Sequence, residues 1–258
     1  MSITNSLFTI AKQLPKKVLL YLFVRPFWPL SKEYLQALSS DPDRLGTVRY
    51  CNICGYRFSK FKLCNHRNPR EAECPICKSR ERHRHLYIYI CSLFPFLKGK
   101  KILHFAPETV IKKILLQSDA EYYDADINPE KARYKIDITN IEFNDSYFDY
   151  IFCFHVLEHI PDDKKAIKEL YRVLNPGGTA YLAVPLGSKF LEDLSITDPQ
   201  ERLRLYLQED HVRLYNIATL TKRLEDAGFT VVLSRPNKFP SELDSAMLGN
   251  IIFIARKS

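Results

Sequence analysis

Beyond Lys100, short apolar segments alternate with segments of helical periodicity, and this alternation constrains the fold more than any other feature. Its clearest example is the apolar run at 147–154, followed by an amphipathic segment at 161–174. Parallel strands need connections of helix length, so such alternation is typical of a parallel sheet that is wound in both directions. The sequence therefore predicts an α/β fold with a doubly wound, mostly parallel sheet of seven strands.

The last two predicted strands, at 229–235 and 250–256, differ from the others because no clear helical segment separates them. We therefore expect them to pair antiparallel. The composition agrees with a folded chain, since apolar residues make up 46% and charged residues 26% of the 258 residues. These are ordinary globular values, and they exclude a disordered or fibrous protein.

Ahead of this region, two Cys-x2-Cys pairs are separated by 19 residues. Each pair can hold one side of a tetrahedral zinc ion, and two pairs complete its four ligands. The sequence thus predicts a closed, structural zinc site in a small zinc-ribbon-like module whose folding depends on the metal. Cys64 and His66 are alternative ligands, and four free or redox-active thiols are the interpretation without metal. The predicted ligands are Cys51, Cys54, Cys74 and Cys77.

These features divide the chain into four predicted parts. Residues 1–48 form an amino-terminal helical segment, 49–80 the zinc-binding module, 81–99 a linking helix and 100–258 the large domain. The basic, aromatic stretch at 16–30 packs on the main domain or, as the alternative, makes peripheral contact with a membrane surface. Its apolar run is too short to cross a bilayer and no small-residue cleavage site follows it, so we expect a cytoplasmic protein.

Positive charge is concentrated around the cysteine module. The chain carries 38 Lys and Arg residues against 30 Asp and Glu residues, and residues 49–85 hold ten of the former against three of the latter. One interpretation is a solvated basic surface. The other is a surface that binds phosphate groups, either on nucleic acid or on a phosphorylated or nucleotide-linked substrate.

Two runs of sequence carry a specific family resemblance: FDYIFCFHVLEHIPDD at 148–163 and ELYRVLNPGGTAYLAVP at 169–185. Through them, residues 100–258 resemble the class I S-adenosylmethionine-dependent methyltransferases with a type 11-like domain. The runs look like the fourth strand of that family, its active-site loop, a helix and the turn into the fifth strand. The resemblance implies a Rossmann-like sheet that binds S-adenosylmethionine across the carboxyl ends of its strands.

The resemblance also implies a set of cofactor contacts. Asp126, at the end of a predicted strand, matches the carboxylate that accepts both ribose hydroxyls; Asp124 is the second candidate, and an exposed strand-end acid is the alternative. Asp137 matches the acceptor of the adenine amine. Ile138 would cover the adenine face and offer its backbone N–H, and Phe154 ends the fourth strand beside them.

The first loop of this domain, at 104–110, departs from the family pattern of an acid followed by three alternating glycines. His104 stands at the acidic position, and Ala106, Glu108 and Val110 replace the glycines. Glycine lets a backbone approach the methionine part of the cofactor closely, so we expect this loop to follow another path. Ala106 is small enough for contact, and Glu108 could offer its carboxylate to the cofactor ammonium.

Two histidines are candidate catalytic bases. His155 follows the fourth strand, where the substrate-facing loop of the family begins, and His211 comes directly after a long insertion (186–209) that follows the fifth strand. A histidine can take a proton from a hydroxyl near neutral pH. The alternative for each is a structural role in its loop. Glu158 and His159, which follow His155, are expected to bond to loop backbone.

Beyond His211, Arg213 and Tyr215 are candidate substrate contacts, and Arg213 suits a phosphate or a carboxylate. The loop after the fourth strand lacks the Asn/Asp-Pro-Pro-aromatic sequence of some methyltransferases that act on exocyclic amines. Its absence disfavours methylation of the amines of adenine or cytosine.

Three functions follow as hypotheses. The first is O-methylation of a small-molecule or glycan-type substrate, with the zinc module shaping substrate access. The second is RNA methylation, with the basic module gripping the RNA. The third is a non-catalytic scaffold of the same fold.

Overall fold

The structure is a computed structural model that describes residues 49–64, 70–235 and 251–258. The predictions for 1–48, which include the helical segment and its membrane-surface alternative, lie outside the described residues, as does His66. Among the described residues, no helix has both the length and the apolar character that a membrane span requires.

The described residues belong to two compact units. The first contains the cysteine region and residues 109–118, and the second contains 99–108, 119–234 and 252–258. The four-part division made from the sequence stays a prediction.

The first unit begins with two short antiparallel hairpins. Strand β1 (Arg49–Tyr50) pairs with β2 (Arg57–Phe58), and β3 (Lys62–Cys64) pairs with β4 (Arg70–Glu73). Helix α1 (Glu81–Leu93) follows and confirms the helix that the sequence predicts before Pro95. Helix α2 (Thr109–Leu115) belongs to the same unit.

Arg84 of α1 is fully buried and joins the helix to the cysteine region. Its guanidinium donates to the carbonyl oxygens of Ser79 at 2.7 Å and Ala72 at 2.8 Å. It also lies 4.1 Å from the centre of the Phe61 ring. Arg84 is one of the basic residues counted toward a phosphate-binding surface, and the structure assigns it to the interior of this unit instead.

The strands of the second unit are, in chain order, β5 (Lys101–Phe105), β6 (Glu121–Asp126), β7 (Tyr134–Lys135), β8 (Phe148–Phe154), β9 (Leu174–Ala183), β10 (Leu191–Glu192), β11 (Arg213–Leu214), β12 (Thr230–Ser234) and β13 (Ile252–Arg256).

Most of these strands form a seven-stranded sheet with the spatial order β12-β13-β9-β8-β5-β6-β7. All neighbouring pairs from β9 to β7 are parallel, and β13 is antiparallel to both of its neighbours. The predicted mostly parallel, doubly wound sheet and the antiparallel last pair are therefore confirmed.

The direction of winding reverses at β5. The chain runs outward from β5 to β6 and β7, and then returns to β8 on the other side of β5. Open α/β sheets bind ligands beyond the carboxyl ends of the strands at such a reversal. Because β5 and β8 lie at the centre of the sheet, their residues are buried on both faces, which explains their nearly continuous apolar sequences.

Helix α3 (Asp163–Val173) begins where Asp162 accepts a hydrogen bond from the backbone N–H of Lys165 at 3.0 Å. Its apolar residues at helical spacing are buried and face β9. The buried residues of this face are Ala166, Ile167, Leu170 and Val173.

The segment 175–178, which the sequence predicts as a turn, is part of β9. The strand starts at Leu174, opposite Phe148, and its register against β8 shifts before Tyr150. Gly177 has a φ of 77°, a conformation that glycine adopts readily. A β-carbon on Gly178 would lie 2.8 Å from the carbonyl oxygen of Asn175. The glycines therefore permit an irregular strand start rather than a separate turn.

The long insertion after β9 contains structure that the sequence analysis missed. Helix α4 (Pro199–Tyr206) begins after Asp198, whose side chain accepts from the N–H of Gln200. Strands β10 and β11 pair antiparallel. Helix α5 (Ile217–Asp226) follows β11 and ends before Gly228.

Candidate cofactor site, histidine cluster and cysteine centre

The carboxyl ends of β5, β6 and β8 lie side by side and collect the predicted cofactor residues. Strand β5 leads into the loop 106–108, β6 ends at Asp126, and β8 ends at Phe154, which is buried. Because β5 is hydrogen-bonded to both β6 and β8, three separate stretches of sequence meet at one edge of the sheet. That edge is the reversal point of the winding.

Ala106 keeps a glycine-type backbone in the first loop. Its φ is 45°, in the left-handed region where a residue with a β-carbon pays about 1–2 kcal/mol. Its N–H donates to the carbonyl oxygen of Ala125 at 2.8 Å, which fixes the loop to β6. The alanine therefore carries backbone strain, and the other path that the sequence predicts for a loop without glycines stays a prediction.

The other residues that the sequence assigns to this loop lie in different elements: His104 belongs to β5 and Val110 to α2. His104 is fully buried, and its Nδ1 lies 2.8 Å from the hydroxyl of Tyr122. Its ring also packs edge-on against Phe152. These contacts give His104 a place in the core of the sheet. Glu108 is half-buried and Val110 is buried, and the cofactor contact expected for His104 and Glu108 stays a prediction.

The two acids of β6 have different environments. Asp124 is fully buried and forms an ion pair with Arg133, whose Nε lies 2.6 Å from its carboxylate. Asp126 is partly exposed, and its carboxylate accepts a hydrogen bond from the N–H of Asn128 at 2.8 Å. Because the carboxylate of Asp124 is already paired with Arg133, Asp126 is the better candidate for binding the cofactor ribose, as the resemblance implies.

Asp137 is held by the same kind of turn as Asp126. Its carboxylate accepts from the N–H of Thr139 at 2.8 Å and from the Thr139 hydroxyl at 2.9 Å. Its side chain is exposed, and the next residue, Ile138, is buried. In both turns an aspartate accepts from the N–H two residues further on, which orients a carboxylate that solvent can reach.

His155 begins a cluster of ionisable side chains at the end of β8. Its backbone has a φ of 54° and its N–H donates to the carbonyl oxygen of Ala183 at 2.9 Å. Its Nδ1 lies 3.2 Å from Oε1 of Glu158, which is almost completely buried. Nε2 of His155 and Oε2 of Glu158 are buried atoms without a hydrogen-bond partner among the described residues.

His159 and His211 complete this cluster from two distant parts of the chain. Their rings are in edge contact, with centres 4.7 Å apart. Nδ1 of His159 lies 3.3 Å from the carboxylate of Asp210, and Nδ1 of His211 lies 2.7 Å from the carbonyl oxygen of Tyr206. Burial lowers the pKa of His211, so its imidazole is neutral near pH 7.

We call His155, Glu158, His159 and His211 the histidine cluster. The sequence analysis expects Glu158 and His159 to bond to loop backbone. His159 has such a contact, at 3.4 Å from the carbonyl oxygen of Asp210. The side chain of Glu158, however, contacts His155. Because His211 lies on a distant part of the chain, sequence spacing could not reveal this meeting.

The four predicted cysteine ligands converge in the first unit. All are buried, and their sulfur atoms lie within 4.8 Å of one another. Cys51 and Cys77 are 3.7 Å apart, as are Cys54 and Cys74. Four sulfurs at about 2.3 Å from a tetrahedral zinc are separated by about 3.8 Å, so the cluster fits that ion. Cys64 is outside it, with its sulfur 4.0 Å from Glu73.

Both cysteine turns have the same backbone. The N–H of Gly55 donates to the carbonyl oxygen of Cys51 at 2.8 Å, and the N–H of Lys78 donates to that of Cys74 at 3.1 Å. Gly55 and Lys78 have φ values of 75° and 61°. The two Cys-x2-Cys pairs are therefore matching turns that point their sulfurs at one centre.

Comparison with known proteins identifies the family of this chain. The family described as "Methyltransferase domain" matches residues 74–234. The chain belongs to this family. The seven-stranded sheet also resembles the structure of the 4+2 cyclase SpnF, with a TM-score of 0.51 and 14% identity over 68% of this chain and 82% of that one. At that identity the likeness shows a shared fold and does not identify the reaction.

Two relatives match parts of the methyltransferase chain. It is 31% identical over 117 residues to a Mycolicibacterium smegmatis protein named "probable S-adenosylmethionine-dependent methyltransferase", which covers 43% of this chain and 42% of the relative. It is 27% identical over 104 residues to phosphoethanolamine N-methyltransferase 2 of Caenorhabditis elegans, covering 39% of this chain and 22% of the relative. The chain thus spans less than half of either relative.

Arg213 stabilises the loop that follows β8 in the methyltransferase domain. It is fully buried, and its guanidinium donates to the carbonyl oxygens of Leu157 at 2.9 Å and Pro161 at 2.8 Å, and also to that of Ile160. Its Nε lies 2.5 Å from the carboxylate of Glu192. These contacts give Arg213 a role in positioning the loop. Its substrate contact stays a prediction.

Tyr215 belongs to the same buried network. Its hydroxyl donates to the carboxylate of Asp163, which also pairs with Arg223. Burial opposes ionisation of Glu192, but hydrogen bonds from Arg223 and Arg213 outweigh it and hold the pKa of this carboxyl below its usual value. The sequence analysis missed Asp163, Glu192 and Arg223, whose positions lack a recognisable spacing.

Replacing Arg213 with methionine should destabilise the methyltransferase domain. The change keeps the volume but leaves buried carbonyl groups of the loop without their donor and removes one of the two cations that pair with Glu192, which typically costs about 3–5 kcal/mol. Urea unfolding followed by circular dichroism measures this free energy.

Arg204→Met is the matched control, since Arg204 pairs with Glu201 on the exposed surface of α4. Its free energy of unfolding should change by less than about 0.5 kcal/mol. Equal effects of the two replacements would contradict the assigned role of Arg213.

Proposed function

We propose that the chain is an S-adenosylmethionine-dependent methyltransferase that acts on a hydroxyl of a small-molecule or glycan-type substrate. The observation that carries the proposal is the family match over 74–234, which includes the carboxyl edge of the sheet where its winding reverses. The M. smegmatis relative supports the same cofactor by its name.

Residues at or just beyond the carboxyl ends of β5, β6 and β7 support this cofactor. Asp126 and Asp137 present oriented, solvent-accessible carboxylates, which suit a ribose diol and an adenine amine respectively. Ala106 keeps the backbone close to β6 in a glycine-type turn. Bound S-adenosylmethionine would supply an electrophilic methyl group on its sulfonium sulfur.

His155 is the proposed proton acceptor for a hydroxyl substrate. Glu158 lies at its Nδ1, and a carboxylate accepts a hydrogen bond, so Nδ1 carries the proton and Nε2 keeps its lone pair. Nε2 can then take the hydroxyl proton while Glu158 stabilises the resulting imidazolium. The remaining contribution of the domain is alignment of the two reactants and exclusion of water.

A phosphate-bearing substrate fits the available chemistry. The C. elegans relative is named for phosphoethanolamine. In the first unit, Lys60, Lys62 and Lys78 are exposed and offer charges that attract phosphate. The acceptor atom is proposed as oxygen because a histidine with an available lone pair assists a hydroxyl nucleophile.

RNA methylation is the weaker alternative. Single-stranded RNA is bound by stacking its bases on exposed aromatic rings, but Phe58 and Phe61 are buried and their rings pack edge to face against each other. Arg84 is also buried. The basic module therefore offers fewer RNA contacts than its sequence indicates.

We also propose a structural zinc ion at the cysteine centre. The sulfur spacing of 3.7 Å supports tetrahedral coordination, and burial of all four cysteines supports a closed site without an open position for catalysis.

Asp126→Ala should weaken S-adenosylmethionine binding by about 10–100-fold, because two hydrogen bonds to a charged acceptor are lost. Isothermal titration calorimetry measures the affinity. Asp226→Ala is the control, since Asp226 forms an exposed pair with Lys222 on α5. Unchanged affinity of the Asp126 variant would reject this carboxylate as a cofactor contact. No binding by the unaltered chain at millimolar cofactor would instead favour the scaffold.

The reaction itself is tested by S-adenosylhomocysteine formation with a panel of sugars, sugar phosphates and nucleotide sugars, and with RNA in parallel. His155→Ala should lower kcat by about 10²–10⁴-fold while cofactor affinity is retained. Turnover with RNA alone would overturn the small-molecule assignment.

Cys74→Ser should remove zinc from the purified chain and lower its melting temperature, because the metal drives folding of so small a module. Metal content by mass spectrometry and a thermal melt provide the two readouts. Cys64→Ser should leave both unchanged, since that sulfur lies outside the centre. Zinc loss in the Cys64 variant, or full zinc retention in the Cys74 variant, would contradict the assigned ligands.

A further inference from the structure

We infer that Glu158, His159 and His211 form a second metal site, which binds a divalent transition-metal ion through two imidazole nitrogens and one carboxylate. One potential ligand atom from each residue lies within 4.8 Å of the others. The inference does not rest on the proposed methyl transfer, since it concerns metal binding alone.

The hydrogen bonds of His159 and His211 involve Nδ1, so Nε2 of each ring keeps the lone pair that a metal ion requires. Nδ1 of His211 lies 2.7 Å from the carbonyl oxygen of Tyr206, and a carbonyl can only accept, so Nδ1 is protonated and the lone pair is on Nε2. Nδ1 of His159 faces the carboxylate and the carbonyl oxygen of Asp210, with the same result. Histidines that bind metals usually donate their other N–H to such an oxygen.

The buried carboxylate of Glu158 is the second feature that indicates a metal-binding site. Its side chain is only 1% exposed. Oε1 contacts Nδ1 of His155, whereas Oε2 is buried without a hydrogen-bond partner among the described residues. An unpaired carboxylate oxygen in the interior is costly, and a cation beside it would remove that cost. His155 then holds the carboxylate in place, as an outer partner of a metal ligand does.

The ligand set distinguishes this site from the cysteine centre. Two imidazoles and one carboxylate suit zinc, iron(II) or manganese(II) and leave coordination positions open. Four thiolates make a closed site that favours softer ions. The backbone N–H of Val212 also donates to the carbonyl oxygen of Glu158 at 2.9 Å, so the two segments that carry the ligands are tied together before any metal binds.

Equilibrium dialysis of the full chain with zinc occupying its cysteine centre tests the inference. The protein is dialysed against manganese(II) or further zinc, and the bound metal is counted by mass spectrometry. Loss of the manganese(II) paramagnetic resonance signal of the free ion gives the affinity. We expect one further ion per chain. We also expect the melting temperature to rise when that ion binds.

Three variants identify the ligands. Glu158→Gln and His211→Gln should abolish uptake of the second ion while the cysteine centre keeps its zinc. His159 is partly exposed, so His159→Gln tests the site even where a buried replacement unfolds the domain. Asp210→Asn, which removes the charge of the carboxylate that Nδ1 of His159 faces, should weaken manganese binding by about 10–100-fold.

Glu201→Gln is the matched control, because Glu201 lies on the exposed surface of α4, and it should take up the second ion as the unaltered chain does. The inference is overturned if the folded, zinc-containing chain takes up neither manganese nor additional zinc. It is also overturned if the folded His159 variant binds the second ion as tightly as the control.

Discussion

The parallel pairing of β5 with strands on both of its edges is the constraint on which the rest of this structure depends. Backbone hydrogen bonds place β6 on one side and β8 on the other, so the chain is wound outward on one side of β5 before it crosses to the other. Residues that are far apart in the chain therefore meet at one carboxyl edge. The strain at Ala106 is tolerated there because its N–H is bonded to β6.

The buried guanidinium of Arg213 fixes the position of the loop after β8. Arg213 donates to backbone carbonyl groups of that loop and pairs with Glu192, so a long insertion is tied to the edge of the sheet. A buried charge is costly unless its hydrogen bonds are satisfied, and here the loop itself supplies the acceptors. His211, two residues earlier in the chain, is thereby held against His159.

The two clusters of ionisable side chains illustrate different uses of burial. In the cysteine centre, two matching turns direct four buried sulfur atoms at one point, a spacing that suits a small soft cation. In the histidine cluster, each side chain is oriented by a neighbouring oxygen or nitrogen. The first arrangement suits a structural ion, whereas the second leaves Nε2 of His155 and Oε2 of Glu158 buried without a hydrogen-bond partner among the described residues.

The sequence by itself determined the class of fold and predicted the cysteine cluster and the candidate cofactor acids, because these depend on periodicity, on short spacings and on motifs within single segments. Only the tertiary structure decided that Arg213 and Tyr215 are buried, that Asp124 is paired with Arg133, and that His159 meets His211. Side chains from distant segments become neighbours through the register and winding of the sheet. That register arises from packing of the whole domain, which no local pattern of residues encodes.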